Sequence, residues 1–198
     1  MNSKSELQLK TKGDKRERTR AKLLDAARSL IREKGHEAAT LDAIAERAGM
    51  TTGAIYGNFR NREDLFVALA HAYWAPIRPE VKEGASFADV MAAIAEATIA
   101  ALPDRQSVVI GRLTGMAYAI GNDEMRERVV AVTRDSYAFG EQWLSSVVPH
   151  GDLPMPAAQL IRVLHAMIEG LTFQRLLTPE LMPDEVIRAA FLALAKAA

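Results

Sequence analysis

Apolar residues recur at intervals of three and four positions in the first third of the chain, which is the spacing of one helix face. The clearest run extends from Asp14 to Lys34, and its apolar positions are Leu23, Leu24, Ala27, Leu30 and Ile31. Gly35 follows a lysine there, as expected at the end of a helix. Residues 1–13 are polar and show no such period. The pattern therefore predicts a helix from Asp14 to Lys34, preceded by a flexible basic arm.

Two short helical segments follow, and each begins after a threonine that is placed to cap it. Thr40 precedes a segment that extends to Arg47, and Thr51 precedes one that extends to about Gly57. A threonine in this position accepts a hydrogen bond from a free backbone N–H of the first turn. Gly49 lies between the segments, where a tight turn requires a residue that tolerates positive φ. The spacing predicts a helix-turn-helix, although any pair of short antiparallel helices shares it.

The rest of the chain keeps the helical period and has no alternation typical of strands. Asn61 is placed to cap a helix that must end or kink at Pro76 and Pro79. Beyond these prolines, five further helices are predicted at residues 86–102, 104–120, 122–148, 156–177 and 183–197. The pattern predicts an all-α protein with a small N-terminal unit and a larger helical body beyond about residue 80.

Charge is divided unevenly along the chain, even though its 25 basic and 25 acidic residues cancel. Up to Arg62 there are 14 lysines and arginines against 8 acidic residues, whereas the remainder has 11 against 17. A basic front on an acidic body favours contact between the front alone and a polyanion such as nucleic acid. The alternative is a helix whose charges are simply solvated.

Several classes of protein are disfavoured by the composition. The chain has no cysteine, which argues against a disulfide scaffold or a thiolate metal site. It has no signal-peptide pattern and no run of about 20 apolar residues, so we expect a cytoplasmic protein. The four histidines are scattered without metal-ligand spacing, and His165 with Glu169 is more typical of a polar pair than of a catalytic one. We therefore expect no enzyme activity, no metal and no cofactor.

The segment of residues 19–70 closely resembles the N-terminal DNA-binding domain of the TetR family of bacterial repressors. It reads TRAKLLDAARSLIREKGHEAATLDAIAERAGMTTGAIYGNFRNREDLFVALA, with LLDAARSLIREKG as first helix and NREDL opening the fourth. Later, HAMIEGLTFQRLLTPE is similar to the penultimate helix of many members, which helps form their dimer. The resemblance implies an arm at 1–13, a DNA-binding domain at 14–60 with its helix-turn-helix at about 40–59, a connecting helix at 61–79 and an effector-binding and dimerisation domain at 80–198.

The resemblance also implies a set of DNA contacts. The helices that Thr40 and Thr51 cap would present free backbone N–H groups of their first turns to phosphate. Tyr56 stands where the family has a phosphate-contacting tyrosine. Arg62 stands where lysine is usual, and a phosphate there would offset the unfavourable position of a cation at a helix N-terminus. The other expected contacts are Asn58, in place of a common histidine, Arg20 with Lys22, and Thr52, Gly53 and Ala54 at the base edges.

The expected recognition helix carries no arginine or glutamine that could bind a base through two hydrogen bonds. Gly53 and Gly57 lie four residues apart, on one helix face, and with Ala54 they would let the backbone approach the groove floor. We therefore expect thin direct readout, with specificity depending more on groove shape, half-site spacing and the N-terminal arm.

For the body, the resemblance implies a small-molecule effector and a homodimer on a near-palindromic operator. The candidate pocket residues are Arg112, Tyr118, Tyr137, Trp143 and His165, each of which also suits a plain bundle core. The candidate dimer residues are Ile161, Leu164, Ile168, Leu171, Ile187, Phe191 and Leu194. The expected function is a repressor released by an apolar or amphipathic effector. Two alternatives stay open: an effector-independent DNA-binding factor, and a helical scaffold that no longer binds DNA.

Overall fold

The computed structural model describes residues 3–149 and 151–195, and within these ranges the chain is helical, without strands. The helices in the described ranges are α1 (Ser3–Lys34), α2 (Leu41–Arg47), α3 (Thr52–Tyr56), α4 (Arg62–Tyr73), α5 (Phe87–Gln106), α6 (Val109–Ile120), α7 (Asp123–Val147), α8 (Ala157–Leu177) and α9 (Asp184–Ala195). The prediction of an all-α fold is confirmed. In the same described part of the chain, no helix combines the length and the apolar character needed to cross a membrane.

The first helix is longer than the sequence pattern predicts. α1 begins at Ser3, so the expected flexible arm is helical from there on, while residues 1–2 lie outside the described residues. This stretch has no apolar period, but lysine, glutamate, leucine and glutamine are good helix formers. Extending a nucleated helix is also far easier than starting one. The segment from Ser3 onward is thus helical although it has no apolar face, whereas its flexibility as an arm stays a prediction.

The fifth helix passes through a proline that the sequence suggested as a boundary. α5 continues through Pro103 to Gln106, whereas the pattern predicted one helix ending at Leu102 and another beginning at Asp104. Pro103 lies in the last turn of α5, where the loss of its N–H removes one backbone hydrogen bond shortly before the helix ends. The next helix starts at Val109.

The connecting helix is shorter than expected. Its first turn is capped by Asn61, whose Oδ1 accepts a hydrogen bond from the backbone N–H of Asp64 at 2.8 Å. α4 then ends at Tyr73, so the expected connecting helix over 61–79 is helical only in part. Pro76 and Pro79 follow in a segment without regular structure, as expected for residues that cannot continue a helix.

The chain divides into two compact units. The first comprises the chain up to Trp74 together with Ser107–Ala117, and the second comprises Ala75–Gln106 together with the chain from Tyr118 onward. In the first unit, α1 to α4 and the residue just before α6 form an apolar core, whose least exposed members include Leu23, Ala27, Ile44, Ile55, Phe59, Leu65 and Val108. The apolar face predicted for α1 is buried there throughout.

The second unit has its own core, in which α5 packs on α9 and α7 packs on α8. Its fully buried side chains include Val90, Met91, Leu144, Leu160, Leu164, Ile187 and Phe191. A charged side chain also lies inside this unit. Arg105 donates from its two terminal nitrogens to Thr172 Oγ1 at 3.0 Å and to the carbonyl of Ala75 at 3.1 Å. These hydrogen bonds join the end of α5 to α8 and to the segment that follows α4.

An ion pair on the surface of the first unit joins α1 to α2. Arg47 donates from its two terminal nitrogens to the carboxylate of Glu33 at 2.7 and 2.6 Å, and to Ser29 Oγ at 2.9 Å. The hydrogen bonds from Arg47 and Ser29 lower the pKa of Glu33 from its usual 4.5 to about 2. The carboxylate is therefore ionised in the folded protein through most of the acidic range.

Replacing Glu33 with glutamine is expected to lower the thermal midpoint of unfolding at neutral pH, and the effect should vanish in acid. Because the pKa of Glu33 is depressed by folding, its contribution is full above the unfolded-state value and is lost as the pH falls toward the folded-state value. Thermal unfolding of both proteins from about pH 7 to about pH 2 checks this. The gap between the two midpoints should begin to narrow below about pH 4.5 and should nearly close as the pH approaches 2. A gap of constant size over the whole range would contradict the assignment.

Candidate nucleic-acid interface

Thr40 and Thr51 cap α2 and α3 as the sequence predicts. Thr40 Oγ1 accepts a hydrogen bond from the backbone N–H of Ala43 at 3.2 Å, and Thr51 Oγ1 accepts one from Ala54 at 3.2 Å. Both threonines are exposed. The remaining N–H groups of each first turn have no partner within their own helix. Two helix N-termini of the kind that binds anions therefore lie at the surface of the first unit.

The turn between α2 and α3 has the conformation that the sequence suggests. Gly49 adopts φ of +64°, in the left-handed region that glycine enters without strain. Its N–H donates to Glu46, and the N–H of Met50 donates to the carbonyl of Ala45 at 2.9 Å. Ala45 is buried at the crossing of the two helices. The two capped helices and this turn form a helix-turn-helix.

The third helix is held by its apolar side and presents a polar and glycine-rich side to solvent. Ile55 is fully buried, whereas Thr52, Gly53 and Tyr56 are exposed, Tyr56 to 55%. Ala54, which the sequence placed at a base edge, is half-buried. A Cβ added at Gly53 would have its nearest neighbour 3.9 Å away, at Thr51 Oγ1. Packing within the protein therefore does not require a glycine at this position.

Arg62 does not present a free cation in the way the sequence predicts. Its Nε donates to the carbonyl of Ala39 at 3.1 Å, and one terminal nitrogen donates to the carbonyl of His36. The guanidinium also lies 4.8 Å from the centroid of the Phe66 ring. A phosphate is therefore not needed to explain a cation at the first position of α4. Backbone carbonyls near helix ends are common unsatisfied acceptors, but the sequence does not reveal which of them a long side chain reaches.

The side chains of Arg20 and Asn58 are likewise directed at the protein. Arg20 donates to the carbonyl of Asn58 at 2.9 Å and lies over the Phe59 ring at 4.4 Å. The side-chain nitrogen of Asn58 donates to the carbonyl of Ala54 at 2.8 Å. Each of these two side chains thus already has a main-chain acceptor within the first unit, and their contacts with phosphate stay a prediction.

Arg60 is a surface cation that the sequence analysis did not single out. It lies between α3 and α4, its side chain is 87% exposed, and its Nε is 3.7 Å from Asp64 Oδ2. An exposed ion pair of this length contributes little to stability. Arg60 directly follows the buried Phe59, at the end of the helix-turn-helix. This position was the signal in the sequence that could have identified it as a candidate DNA contact.

Arg112 and Tyr118, two of the candidate pocket residues, lie in different units. Arg112 belongs to the first unit, where its guanidinium is 5.6 Å from the centroid of the Trp74 ring. Tyr118 belongs to the second unit and is 53% exposed. Its hydroxyl accepts a hydrogen bond of 3.4 Å from the amide of Asn122. Neither contact indicates an enclosed binding site.

The structure does bring together Tyr137 and His165, on α7 and α8 of the second unit. The Tyr137 hydroxyl and His165 Nδ1 share a hydrogen bond of 3.0 Å, and their rings meet edge to face. Arg162 lies 5.1 Å from the centroid of the Tyr137 ring. Trp143 is half-buried against the apolar core of this unit.

An open groove of about 590 Å³ lies along α7, but none of the candidate pocket residues lines it. The groove is lined by Ala138, Glu141, Gln142, Ser145 and Ser146.

Three of the residues predicted at a dimer interface are unavailable to a partner. Leu164, Ile187 and Phe191 are at most 1% exposed, because they form part of the core of the second unit. The other four, Ile161, Ile168, Leu171 and Leu194, are half-buried. The prediction is wrong for the three buried residues, since α8 and α9 are apolar on more than one side and the sequence does not tell which side faces the core.

A different side of these two helices is apolar and exposed. On α9 it comprises Val186, Ala189, Leu192 and Ala193, and on α8 it comprises Ala166, Gly170 and Leu177. Small side chains at intervals of three and four allow close approach of another helix.

Two family models together match most of the chain. The model of the bacterial regulatory proteins of the tetR family matches residues 23–69, and the C-terminal model of BetI-type transcriptional repressors matches residues 87–198. The second match alone covers more than half of the sequence. The boundary between the two matches leaves out the residues from 70 to 86, which include Pro76 and Pro79.

Individual relatives and solved structures agree with the family models. The HTH-type transcriptional regulator SrpR of Pseudomonas putida is 27% identical over 165 residues, which cover 81% of this chain and 76% of that protein. The fatty acid metabolism regulator protein of Bacillus subtilis is 23% identical over 167 residues, covering 82% and 84%. A putative transcriptional regulator from Rhodococcus sp. RHA1 has the same fold, with a TM-score of 0.66, 18% identity and coverage of 91% of this chain and 96% of that one. The complex of SmeT with triclosan gives a TM-score of 0.51 at 23% identity, covering 90% of each chain. The matched proteins are transcriptional regulators and not enzymes.

Proposed function

The chain belongs to the TetR family of bacterial regulatory proteins, and we propose that it is a homodimeric repressor that leaves its operator when a small apolar or amphipathic molecule binds the body. Membership of the family makes it a DNA-binding transcriptional regulator. It acts in the bacterial cytoplasm, where operator DNA is accessible.

The exposed side of α3 is the observation that carries the proposal. Thr52, Gly53 and Tyr56 lie on it, next to the capped N-termini of α2 and α3. A glycine that packing does not require is explained by close approach of the backbone to the floor of a DNA groove. Tyr56 is exposed, and its hydroxyl is proposed to bind a backbone phosphate.

Sequence readout by this helix is expected to be sparse. Thr52 offers one hydroxyl for a base edge, and the half-buried Ala54 offers at most a methyl contact with thymine. Specificity then comes mainly from groove shape and from the spacing of two half-sites. In a two-fold dimer the two recognition helices enter successive major grooves about 34–36 Å apart.

The dimer is proposed to form through the exposed apolar side of α8 and α9 rather than through the residues first considered. Replacing Val186 with glutamate is expected to weaken dimerisation by about 100-fold, because two unpaired carboxylates would be buried at the interface. Analytical ultracentrifugation measures this directly.

The matched control is Val132→Glu, which adds the same charge at an exposed valine of α7. It should leave the dimer intact. Equal weakening by both substitutions, or by neither, would contradict the assignment of the interface to α8 and α9.

An effector is proposed because a protein of the same fold, SmeT, is known in complex with triclosan, and because a related protein is a regulator of fatty acid metabolism. The effector acts only through its different affinity for the DNA-bound and released conformations. In the released conformation α4 is displaced, which changes the separation of the two recognition helices.

The test is the selection of bound DNA from a random pool, followed by a screen of organic compounds for release of the protein from the selected DNA. An enriched inverted repeat and a releasing compound are the expected results. Enrichment without any releasing compound would favour an effector-independent DNA-binding factor. Failure to enrich any DNA would contradict the proposed function.

A further inference from the structure

The side chain of Arg62 is inserted between α4 and the loop that joins α1 to α2. Its Nε and one terminal nitrogen donate to the carbonyls of Ala39 and His36. One face of the guanidinium lies against the ring of Phe66, which is itself 5% exposed. A planar group that binds two carbonyls and a ring has little freedom to turn toward an external anion.

The two carbonyls belong to the segment that sets the start of the helix-turn-helix. Ala39 is fully buried and directly precedes Thr40, the cap of α2. The His36 ring also meets Phe66 edge to face at 4.6 Å, so the loop contacts the same ring as the Arg62 guanidinium does. Burial and, secondarily, the adjacent Arg62 guanidinium lower the pKa of His36 and so favour its neutral form.

A second arginine has the same relation to the other end of the motif. Arg20, on α1, donates to the carbonyl of Asn58, just after α3, and lies over the ring of Phe59. The helix-turn-helix is thus held before its first helix and after its second by guanidinium groups bound to main-chain carbonyls. Arg60 differs from both, since its side chain is 87% exposed.

From these contacts we infer that Arg62 is a positioning residue, which fixes the start of α2 and thereby the orientation of the helix-turn-helix, and that Arg60 supplies the cation that meets phosphate at this edge. The inference rests on the proposed function in that it needs a DNA ligand. It assigns the positioning of the helix-turn-helix to Arg62 and the phosphate contact to Arg60, whereas the sequence analysis expected a phosphate contact from Arg62. Positioning affects the fit to a particular DNA, whereas a phosphate contact affects every DNA.

The experiment measures the affinity of full-length variants for two duplexes by fluorescence anisotropy over a series of salt concentrations. One duplex is the DNA that the wild-type chain selects from a random pool, and the other is an unrelated duplex of equal length. Arg62→Lys keeps the charge but replaces the planar group that binds two carbonyls. It is expected to bind the selected DNA about tenfold more weakly, with unchanged affinity for the unrelated duplex and an unchanged salt slope.

Arg60→Ala is the matched variant two residues away. It should weaken binding to both duplexes and reduce the slope of log affinity against log salt by about 0.9 per protomer. Arg62→Ala should leave that slope unchanged. If Arg62→Ala is unfolded at the assay temperature by circular dichroism, Arg62→Lys decides alone.

Wild-type affinity of Arg62→Lys for both duplexes would overturn the inference, as would a reduced salt slope in Arg62→Ala. A wild-type chain that selects no DNA would instead contradict the proposed function, so the two failures are distinguishable.

Discussion

Replacing Gly111 with alanine is expected to lower the free energy of unfolding of the protein by about 1–3 kcal/mol. Gly111 is buried at the start of α6, within the first unit. A Cβ at this position would overlap the carbonyl oxygen of Phe66 and lie 2.6 Å from its carbonyl carbon. Because these atoms belong to the backbone of α4, they cannot move aside as the tip of a side chain can. Chemical denaturation measures the loss.

Gly115 provides the control for this prediction, since it lies one turn further along α6. A Cβ there would meet the methyl groups of Val67 at 3.6 and 3.7 Å, which is ordinary contact. Gly115→Ala should therefore keep or raise stability, by up to about 1 kcal/mol, through the higher helix propensity of alanine. If Gly111→Ala proves as stable as Gly115→Ala, the close packing of α6 on α4 is refuted.

Replacing Gly53 with leucine is expected to reduce affinity for the selected DNA by about 100-fold or more while the fold remains intact. The position is exposed on α3, and the nearest neighbour of an added Cβ would be Thr51 Oγ1 at 3.9 Å. An added Cβ there makes only an ordinary contact with the protein, and the substitution removes the entropic penalty of a helical glycine. It would, however, stand between the helix backbone and the floor of the groove. Anisotropy titrations and thermal unfolding measure the two effects separately.

Gly121→Leu adds the same side chain at an exposed glycine outside the helix-turn-helix. It is expected to leave DNA affinity unchanged. Wild-type affinity in Gly53→Leu would mean that α3 does not approach DNA through this side, and equal losses in both variants would point to an indirect cause.

Local signals were enough to predict the frame of the helix-turn-helix. Thr40, Thr51 and Asn61 each cap a helix within three residues of themselves. Gly49 adopts the positive φ that its turn requires. These features depend on neighbours in the sequence, so a single sequence contains the information needed to predict them.

Contacts between residues that are far apart in the sequence could not be predicted from it. The carbonyls that Arg62 binds lie 23 and 26 positions away, and the carbonyl that Arg20 binds lies 38 positions away. Charge and position therefore suggested phosphate contacts where the structure has main-chain acceptors. Phe191 was similarly assigned to a dimer interface, although it is fully buried in its own unit, because an apolar helix face has the same pattern against either partner.

We expect the exposed side of α3 to enter DNA twice per dimer, one helical turn apart. Hydroxyl-radical footprinting of the selected DNA tests this most directly. We expect two protected patches on one side of the duplex, centred about 10 base pairs apart, and their loss in Gly53→Leu. A single patch, or a footprint that Gly53→Leu leaves unchanged, would contradict this mode of DNA binding by α3.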